Sequence, residues 1–184
     1  MAMKNSILIT ILLLGICAQS FSQRYITRNG TIRFFSEAPL ENIEAVNRQV
    51  SSALDVESGE FVFRVLIRAF QFEKALMQEH FNENFMESHI HPNASFQGVV
   101  KNHEDIDFSQ PGIHEVEVEG DLTIRGITHR ITENGTIEIR DGKLHGKSTF
   151  TVMVGDYDIT IPAAVANNIA REIEVSVDVV LEKM

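Results

Sequence analysis

The sequence contains a single cysteine, Cys17, which lies in the apolar segment near the N-terminus. If that segment is removed, the chain has no disulfide, no thiol nucleophile and no thiolate to bind a metal ion. Stability must then come from the burial of apolar side chains. The 162 residues from 23 to 184 are enough for one domain with a sizeable core.

Positive charge is scarce, with 16 Lys and Arg against 26 Asp and Glu and a net charge of −10. An acidic surface disfavours nucleic acid and anionic membranes as partners. The sequence also lacks a Ser-His-Asp signature, a glycine-rich phosphate loop and a carboxylate pair in a known catalytic motif. We therefore expect a binding protein rather than an enzyme, and no cofactor.

Long apolar runs are limited to residues 7–16, which are too few to span a bilayer. Lys4 precedes this run, and Ser20-Phe21-Ser22 follows it as a small-x-small cleavage signal. The pattern predicts a signal peptide over residues 1–22 and a mature domain over 23–184, either periplasmic or secreted. Lipid attachment at Cys17 is disfavoured because Ile16 is not small. No later segment is long and apolar enough to form a membrane span.

Most of the remaining chain alternates between apolar and polar residues, as half-buried strands do. The alternation is clearest over residues 113–125 and recurs over 60–68, 144–152 and 173–181. Turn signals separate the runs: Asn29-Gly30, Ser58-Gly59, Gly126 and Asp141-Gly142, with Asn134-Gly135 read as a bulge or tight turn. About eight strands at short intervals favour an antiparallel sandwich or barrel.

Residues 70–100 depart from this alternation because they are aromatic, rich in histidine and partly helical in spacing. Apolar residues and His80 recur at helical intervals between Ala75 and Phe81, and Pro92 cannot continue a helix. We predict one short helical insert. If the strands form a barrel, Leu76, Met77, His80 and Phe81 should lie at or near one end of it, with their apolar groups turned toward the cavity. A strand resumes at Asn93.

Three blocks in this chain resemble the signature of the YceI-like family, in order and spacing, from about Gly30 to Leu181. They are Phe70-x-Phe72-x-Lys74-x-Leu76-Met77-x-x-His80-Phe81-Asn82-Glu83 with Pro92-x-Ala94-x-Phe96-x-Gly98, Gly120-Asp121-Leu122-Thr123-Ile124-Arg125-Gly126-Ile127-Thr128, and Asp156-Tyr157-x-Ile159-x-Ile161-Pro162. The resemblance is closest to short exported branches, in which Leu76-Met77-x-x-His80-Phe81 replaces basic and acidic residues. It implies an all-β fold, an antiparallel eight-stranded lipocalin-like β-barrel with one short helical insert. It also implies a lengthwise apolar cavity for isoprenoid or other long-chain amphiphiles.

A barrel of eight strands is wide enough to be filled by side chains or to hold one slender ligand. For the second case we predict a ligand-binding wall of aromatic side chains, adaptable thioethers and residues of the insert. These are Phe34, Phe61, Phe63, Phe72, Leu76, Met77, His80, Phe81, Met86, Phe96, Phe150 and Tyr157. The expected partner is a small apolar or amphiphilic molecule, and a homodimer is left open.

Two other functions remain as alternatives at this point. One is a lipocalin-like enzyme that uses His80 or Asp156. The other is a structural or stress-related envelope protein whose barrel is filled by its own side chains. His89-x-His91 on an extended segment places two rings on one face, with Glu79, Glu83 or Glu87 as a third ligand. This spacing is unspecific, so we interpret the histidines as surface or capping residues and predict no metal. Asp156 is interpreted as a turn residue that caps a backbone N–H.

Overall fold

The computed structural model describes residues 23–184, so the predicted signal peptide lies outside the described residues. Nine strands form one antiparallel sheet: β1 Arg24–Ser36, β2 Ile43–Asp55, β3 Glu60–Leu66, β4 Gln71–Phe72, β5 Asn93–Val100, β6 Gly112–Ile124, β7 Ile127–Arg140, β8 Lys143–Met153 and β9 Glu172–Lys183. One helix, α1 Ala75–His80, continues into a π-helical turn, Phe81–Phe85. Short 3-10 turns cover Ile67–Ala69, His103–Asp105, Val154–Tyr157 and Ala163–Val165.

Eight of these strands close into a barrel. The order is β1-β9-β8-β7-β6-β5-β3-β2, and β2 pairs back to β1. The two-residue strand β4 pairs only with β2, at Ala45 and Val46. The predicted fold, an eight-stranded antiparallel barrel with one short helix, is confirmed.

The alternation in the sequence sets the two faces of the wall. In β3, Phe63 and Val65 are buried, whereas Val62 and Leu66 on the opposite face are exposed. Successive side chains of a strand point to opposite faces, so the apolar set of each strand turns inward together. The barrel interior is therefore mostly apolar, and most of the charged side chains lie on its outer surface.

The two ends of the barrel differ. One end, called the mouth below, carries three longer segments: residues 37–42, 67–92 and 154–171. The opposite end carries residues 56–59, 101–111 and 141–142 and the outer ends of β1 and β9. The insert that the sequence singles out thus lies at the mouth, as predicted.

Two of the turn signals do not reverse the chain. Asn29-Gly30 lies inside β1, where the pairing with β2 shifts register, so the chain bulges there without turning back. Asn134-Gly135 lies inside β7 and stays in register with β6 on both sides. A Cβ on Gly135 would come within 2.7 Å of the Lys147 carbonyl oxygen, so this glycine permits close strand approach. Asp141-Gly142 is a two-residue hairpin as predicted, with positive φ at both residues.

The side chain of Asn47 forms hydrogen bonds where the β-ladder is interrupted near the mouth. The 3-10 turn 67–69 separates β3 from β4 and interrupts their pairing with β2. Asn47 is fully buried; its Nδ2 donates to the Leu66 carbonyl at 2.8 Å and its Oδ1 accepts from the Gln49 N–H at 2.8 Å. The side-chain amide thereby replaces hydrogen bonds that the ladder lacks.

Candidate functional site

A cavity of about 630 Å³ occupies the barrel interior. Inward positions of all eight barrel strands line it, and it reaches the mouth at residues of α1 and of the 154–171 segment. Its volume lies in the range of about 300–1,000 Å³ that is typical of small-molecule sites. The wall side chains leave this space open, so the barrel is not filled by its own residues.

The structure places eleven of the twelve predicted wall residues on this cavity: Phe34, Phe61, Phe63, Phe72, Leu76, Met77, His80, Phe81, Met86, Phe96 and Phe150. Tyr157 is the exception, and its assignment to the wall is corrected. Its ring is buried in the 3-10 turn 154–157 and packs edge-on against His129, with the ring centroids 5.1 Å apart. Burial raises the pKa of the Tyr157 hydroxyl.

Four phenylalanines pack together where the insert meets β1. Phe34 contacts the rings of Phe70, Phe72 and Phe81 at centroid distances of 5.3, 5.6 and 5.4 Å. Phe81 also contacts Phe70 and Phe72, at 5.5 and 5.1 Å. This mouth cluster anchors the insert to the wall through apolar burial and edge-to-face contacts. The sequence prediction missed Phe70, although its spacing of two from Phe72 was a usable signal.

The insert covers part of the mouth. Met77 and Phe81 are half-buried, whereas Leu76 and His80 are exposed but still line the cavity. Lys74, just before α1, forms an ion pair with Glu41 of the 37–42 segment. Met77 and Phe81 therefore turn toward the interior, whereas Leu76, which was expected to do the same, is largely exposed.

Arg125 connects the insert to the opposite side of the mouth. Its guanidinium pairs with the Glu87 carboxylate and donates to the Asp158 carbonyl at 2.6 Å. The backbone N–H of Leu40 donates to the Asn167 carbonyl at 3.1 Å, which joins the other two mouth segments. All three segments are thus tied to one another or to the wall.

The pairing of β7 with β8 is incomplete. β7 and β8 pair only from Gly135–Ser148 down to Arg140–Lys143. Above that point, β7 pairs with β6 and β8 pairs with β9, but the two strands do not pair with each other. We call the unpaired stretch, residues 127–134 of β7 and 149–153 of β8, the seam. Ser148 Oγ donates to the Asn134 carbonyl at 2.6 Å at its lower end, and His129 Nε2 lies 2.8 Å from the Asp156 carbonyl above.

Glu133 is an inward-facing carboxylate in this part of the wall. It shares its face of β7 with Ile131, Gly135 and Ile137, and all four line the cavity. Within residues 23–184, no hydrogen bond or ion pair engages its carboxylate. Burial raises the pKa of Glu133. The sequence prediction missed this residue because it chose the wall from aromatic side chains, thioethers and residues of the insert.

The residues considered for catalysis or for metal binding do not form a common site. Neither His80 nor the Asp156 carboxylate has a hydrogen-bond partner among the described residues, and the contact of Asp156 is made by its carbonyl rather than by a capping side chain. His91 packs against Gly126, and Glu87 is held by Arg125. In the part of the chain that the structure describes, no group of three His, Cys, Asp or Glu is arranged to hold a metal ion.

Among residues 23–184, no helix combines the length and the apolar character that crossing a bilayer requires.

Solved structures with the same fold share little sequence with this chain. A polyisoprenoid binding domain from Saccharophagus degradans, implicated in plant cell wall breakdown, has a TM-score of 0.76 at 12% identity over 88% of this chain and 98% of that one. Burkholderia cenocepacia BcnA has a TM-score of 0.67 at 12% identity, over 83% and 95% of the two chains. A Campylobacter jejuni YCEI protein has a TM-score of 0.55 at 14% identity, over 75% and 82%.

At the level of sequence, a search of curated proteins finds no match. The family model described as the YceI-like domain matches residues 25–181, which is almost the whole described barrel. The chain therefore belongs to the YceI-like family.

Proposed function

We propose that this protein binds a long-chain apolar lipid, isoprenoid-like in character, inside the barrel. The observation that carries the proposal is the open cavity of about 630 Å³ whose wall is built mostly from aliphatic and aromatic side chains. A cavity of this kind has little to offer a polar substrate, because a buried polar group without a partner costs free energy. An apolar chain meets no such cost.

Burial alone supplies enough free energy for tight binding. Each methylene removed from water contributes about 0.8 kcal/mol. Ten such groups contribute about 8 kcal/mol, from which the lost translational, rotational and chain freedom must be subtracted. A longer chain therefore binds more tightly until the cavity is filled. At the mouth, Lys74, Glu41 and His80 are available to the head group of an amphiphile.

The family and its solved members support this proposal. The Saccharophagus degradans structure is described as a polyisoprenoid binding domain, and it has the same fold. We further propose that the protein is exported, with residues 1–22 as its signal peptide and the barrel in the periplasm or outside the cell. Mass spectrometry of the N-terminus after expression from the full gene tests this second point: a chain that still begins at Met1 contradicts it.

Lipid binding is tested by native mass spectrometry of the protein expressed in a bacterial host and by titration with diphenylhexatriene, an apolar fluorescent probe. We expect a co-purified lipid and saturable enhancement of fluorescence. A protein without bound lipid that also leaves the probe dark overturns the proposal.

A matched pair of variants locates the binding in the barrel. Val177 lines the cavity, and Val180 lies on the outer face of the same strand, β9. Val177→Phe adds a ring to the cavity and is expected to weaken probe binding at least tenfold. Val180→Phe adds the same ring outside and is expected to leave binding unchanged. Equal effects of the two substitutions would place the probe outside the barrel.

A further inference from the structure

We propose that Glu133 forms a polar subsite inside the barrel, which accepts a hydrogen bond from an O–H or N–H group carried by the lipid chain. This inference rests on the proposed function, because it assigns a chemical feature to the ligand of the same cavity. Such a subsite binds a long-chain alcohol or amine more tightly than a plain hydrocarbon or an ether of the same length.

The position of Glu133 within β7 places it on the cavity wall. Residues 131, 133, 135 and 137 share the inward face, and Glu133 lies directly opposite Val118 of β6. If the pairing of Gly135 with Ser148 is extended by two residues along each strand, the position across the seam is Phe150, another residue of the cavity wall. The carboxylate thus stands between apolar neighbours, where a leucine or valine is the ordinary choice.

Residues 23–184 supply no counter-ion for the Glu133 carboxylate. Lys147, on the neighbouring strand β8, is ion-paired with Asp178 at 3.5 Å. Arg130, on β7 itself, pairs with Glu119 and Asp121 on the outer surface. Lys101 is likewise paired with Glu119. The cations nearest in the sheet are therefore engaged outside the barrel, and the acceptor capacity of Glu133 is left for a bound molecule.

The free energy of binding also favours a ligand with a donor group. A partly buried carboxylate without a partner destabilises the fold, and a ligand that donates a hydrogen bond removes this cost when it binds. Hydrogen bonds to charged groups contribute about 1.5–3 kcal/mol, which is roughly 10- to 150-fold in affinity. A ligand without a donor leaves the carboxylate unpaired and dehydrates it further. Glu133 therefore strengthens the binding of a ligand that has a donor group and weakens the binding of a ligand that has none.

The depth of this subsite distinguishes it from the polar groups at the mouth. Glu133 lies six residues along β7 from Ile127, the strand residue at the mouth. Six residues of a strand extend about 20 Å. The donor group of the ligand is thus held well inside the barrel, at the lower end of the seam.

The test compares geranylgeraniol with its methyl ether, which has the same chain but no donor. Each compound displaces diphenylhexatriene from the wild-type protein, from Glu133→Met and from the control Glu115→Leu, which removes an exposed carboxylate of β6. Glu133→Val serves in place of the methionine variant if that variant does not fold. We expect the alcohol to bind the wild-type protein at least tenfold more tightly than the ether. This preference should disappear in the Glu133 variant and persist in the Glu115 variant.

Three other outcomes would contradict either the Glu133 subsite or lipid binding itself. Equal affinity of wild-type protein for alcohol and ether overturns the Glu133 subsite but leaves lipid binding in place. A preference for the alcohol that survives in the Glu133 variants also overturns the subsite, because the donor group must then bind elsewhere. If neither compound displaces the probe, the proposed function itself fails.

Discussion

Arg125 pairs with Glu87, and both residues have the left-handed backbone conformation, with φ of 49° and 45°. Asp158, whose carbonyl accepts from the same guanidinium, has φ of 54°. Within residues 23–184, only one other non-glycine residue, Asp141 in the hairpin turn, has positive φ. Such conformations are costly for side chains other than glycine and persist only where surrounding contacts hold them. The Arg125 side chain therefore holds both Glu87 and Asp158, and Arg125 itself has the same left-handed backbone conformation.

Removal of this side chain should loosen the mouth. We expect Arg125→Ala to lower the free energy of unfolding by about 2 kcal/mol, because it leaves the Glu87 carboxylate and the Asp158 carbonyl without their donor. Urea unfolding followed by circular dichroism measures the change. Arg130→Ala is the control, since its ion pairs lie on the outer surface. An equally large loss in the control would contradict a special role for Arg125.

The mouth cluster should contribute strongly to stability. Phe34 contacts three other rings, so Phe34→Ala is expected to lower the free energy of unfolding by about 3 kcal/mol. Ile113→Ala, at an exposed position at the opposite end of the barrel, should change it by less than about 0.5 kcal/mol. The same urea titration compares them. If Phe34→Ala were as mild as Ile113→Ala, the insert would have to be anchored by other contacts.

Two glutamates should affect stability with opposite pH dependence. Burial raises the pKa of Glu133, so the folded state favours its protonated form. The stability associated with this group is present below the pKa of the unfolded chain, about 4.3, and is lost as pH rises through the folded pKa. Glu133→Gln should therefore raise the melting temperature at pH 7, and the gain should vanish below about pH 4.

Glu119 is the counterpart on the outer surface. Hydrogen bonds and charge from Lys101 and Arg130 lower its pKa to about 2. Its contribution to stability is present above the unfolded pKa and is lost as pH falls through the folded value. Glu119→Gln should therefore lower the melting temperature at pH 7, with the loss shrinking between about pH 4 and pH 2. Thermal melts of both variants from pH 2 to 7 measure the two trends, and trends of the same sign would refute the assignment.

Gly120 should not tolerate a side chain. A Cβ there would lie 2.4 Å from the Gln97 carbonyl oxygen and 2.5 Å from the Gly98 Cα, both of which are backbone atoms that cannot swing aside. We expect Gly120→Ala to cost about 2–3 kcal/mol of stability through forced displacement of β5. Gly155→Ala meets no atom within 4 Å and serves as the control. A neutral effect of Gly120→Ala in denaturant titration would mean that the two strands lie farther apart.

The strands and their inward faces could be predicted because their pattern is local. In β9, the apolar residues at every second position from Ile173 to Leu181 all line the cavity. Closure of the barrel is different, because it depends on pairing between β1 and β9 at the two ends of the described chain. Alternation alone could not distinguish a barrel from a sandwich. The resemblance of the three sequence blocks made that distinction.

Some of the errors of prediction have their origin in local signals that the tertiary structure overrides. Asn-Gly is a strong turn signal, but at 134–135 the neighbouring strands of the sheet hold it in an extended ladder. Glu133 was missed because the predicted wall was chosen from aromatic side chains, thioethers and residues of the insert. Tyr157 follows β8 in the sequence, yet a 3-10 turn carries its ring against His129 rather than onto the cavity wall.

The seam divides the β7–β8 contact into two parts with different constraints. Toward the end opposite the mouth, the six residue pairs from Gly135–Ser148 to Arg140–Lys143 fix the spacing of the two strands with ladder hydrogen bonds. Toward the mouth, β7 is linked instead to the 3-10 turn that follows β8, where His129 Nε2 lies 2.8 Å from the Asp156 carbonyl. The wall near the mouth can therefore widen without breaking any β7–β8 ladder bond.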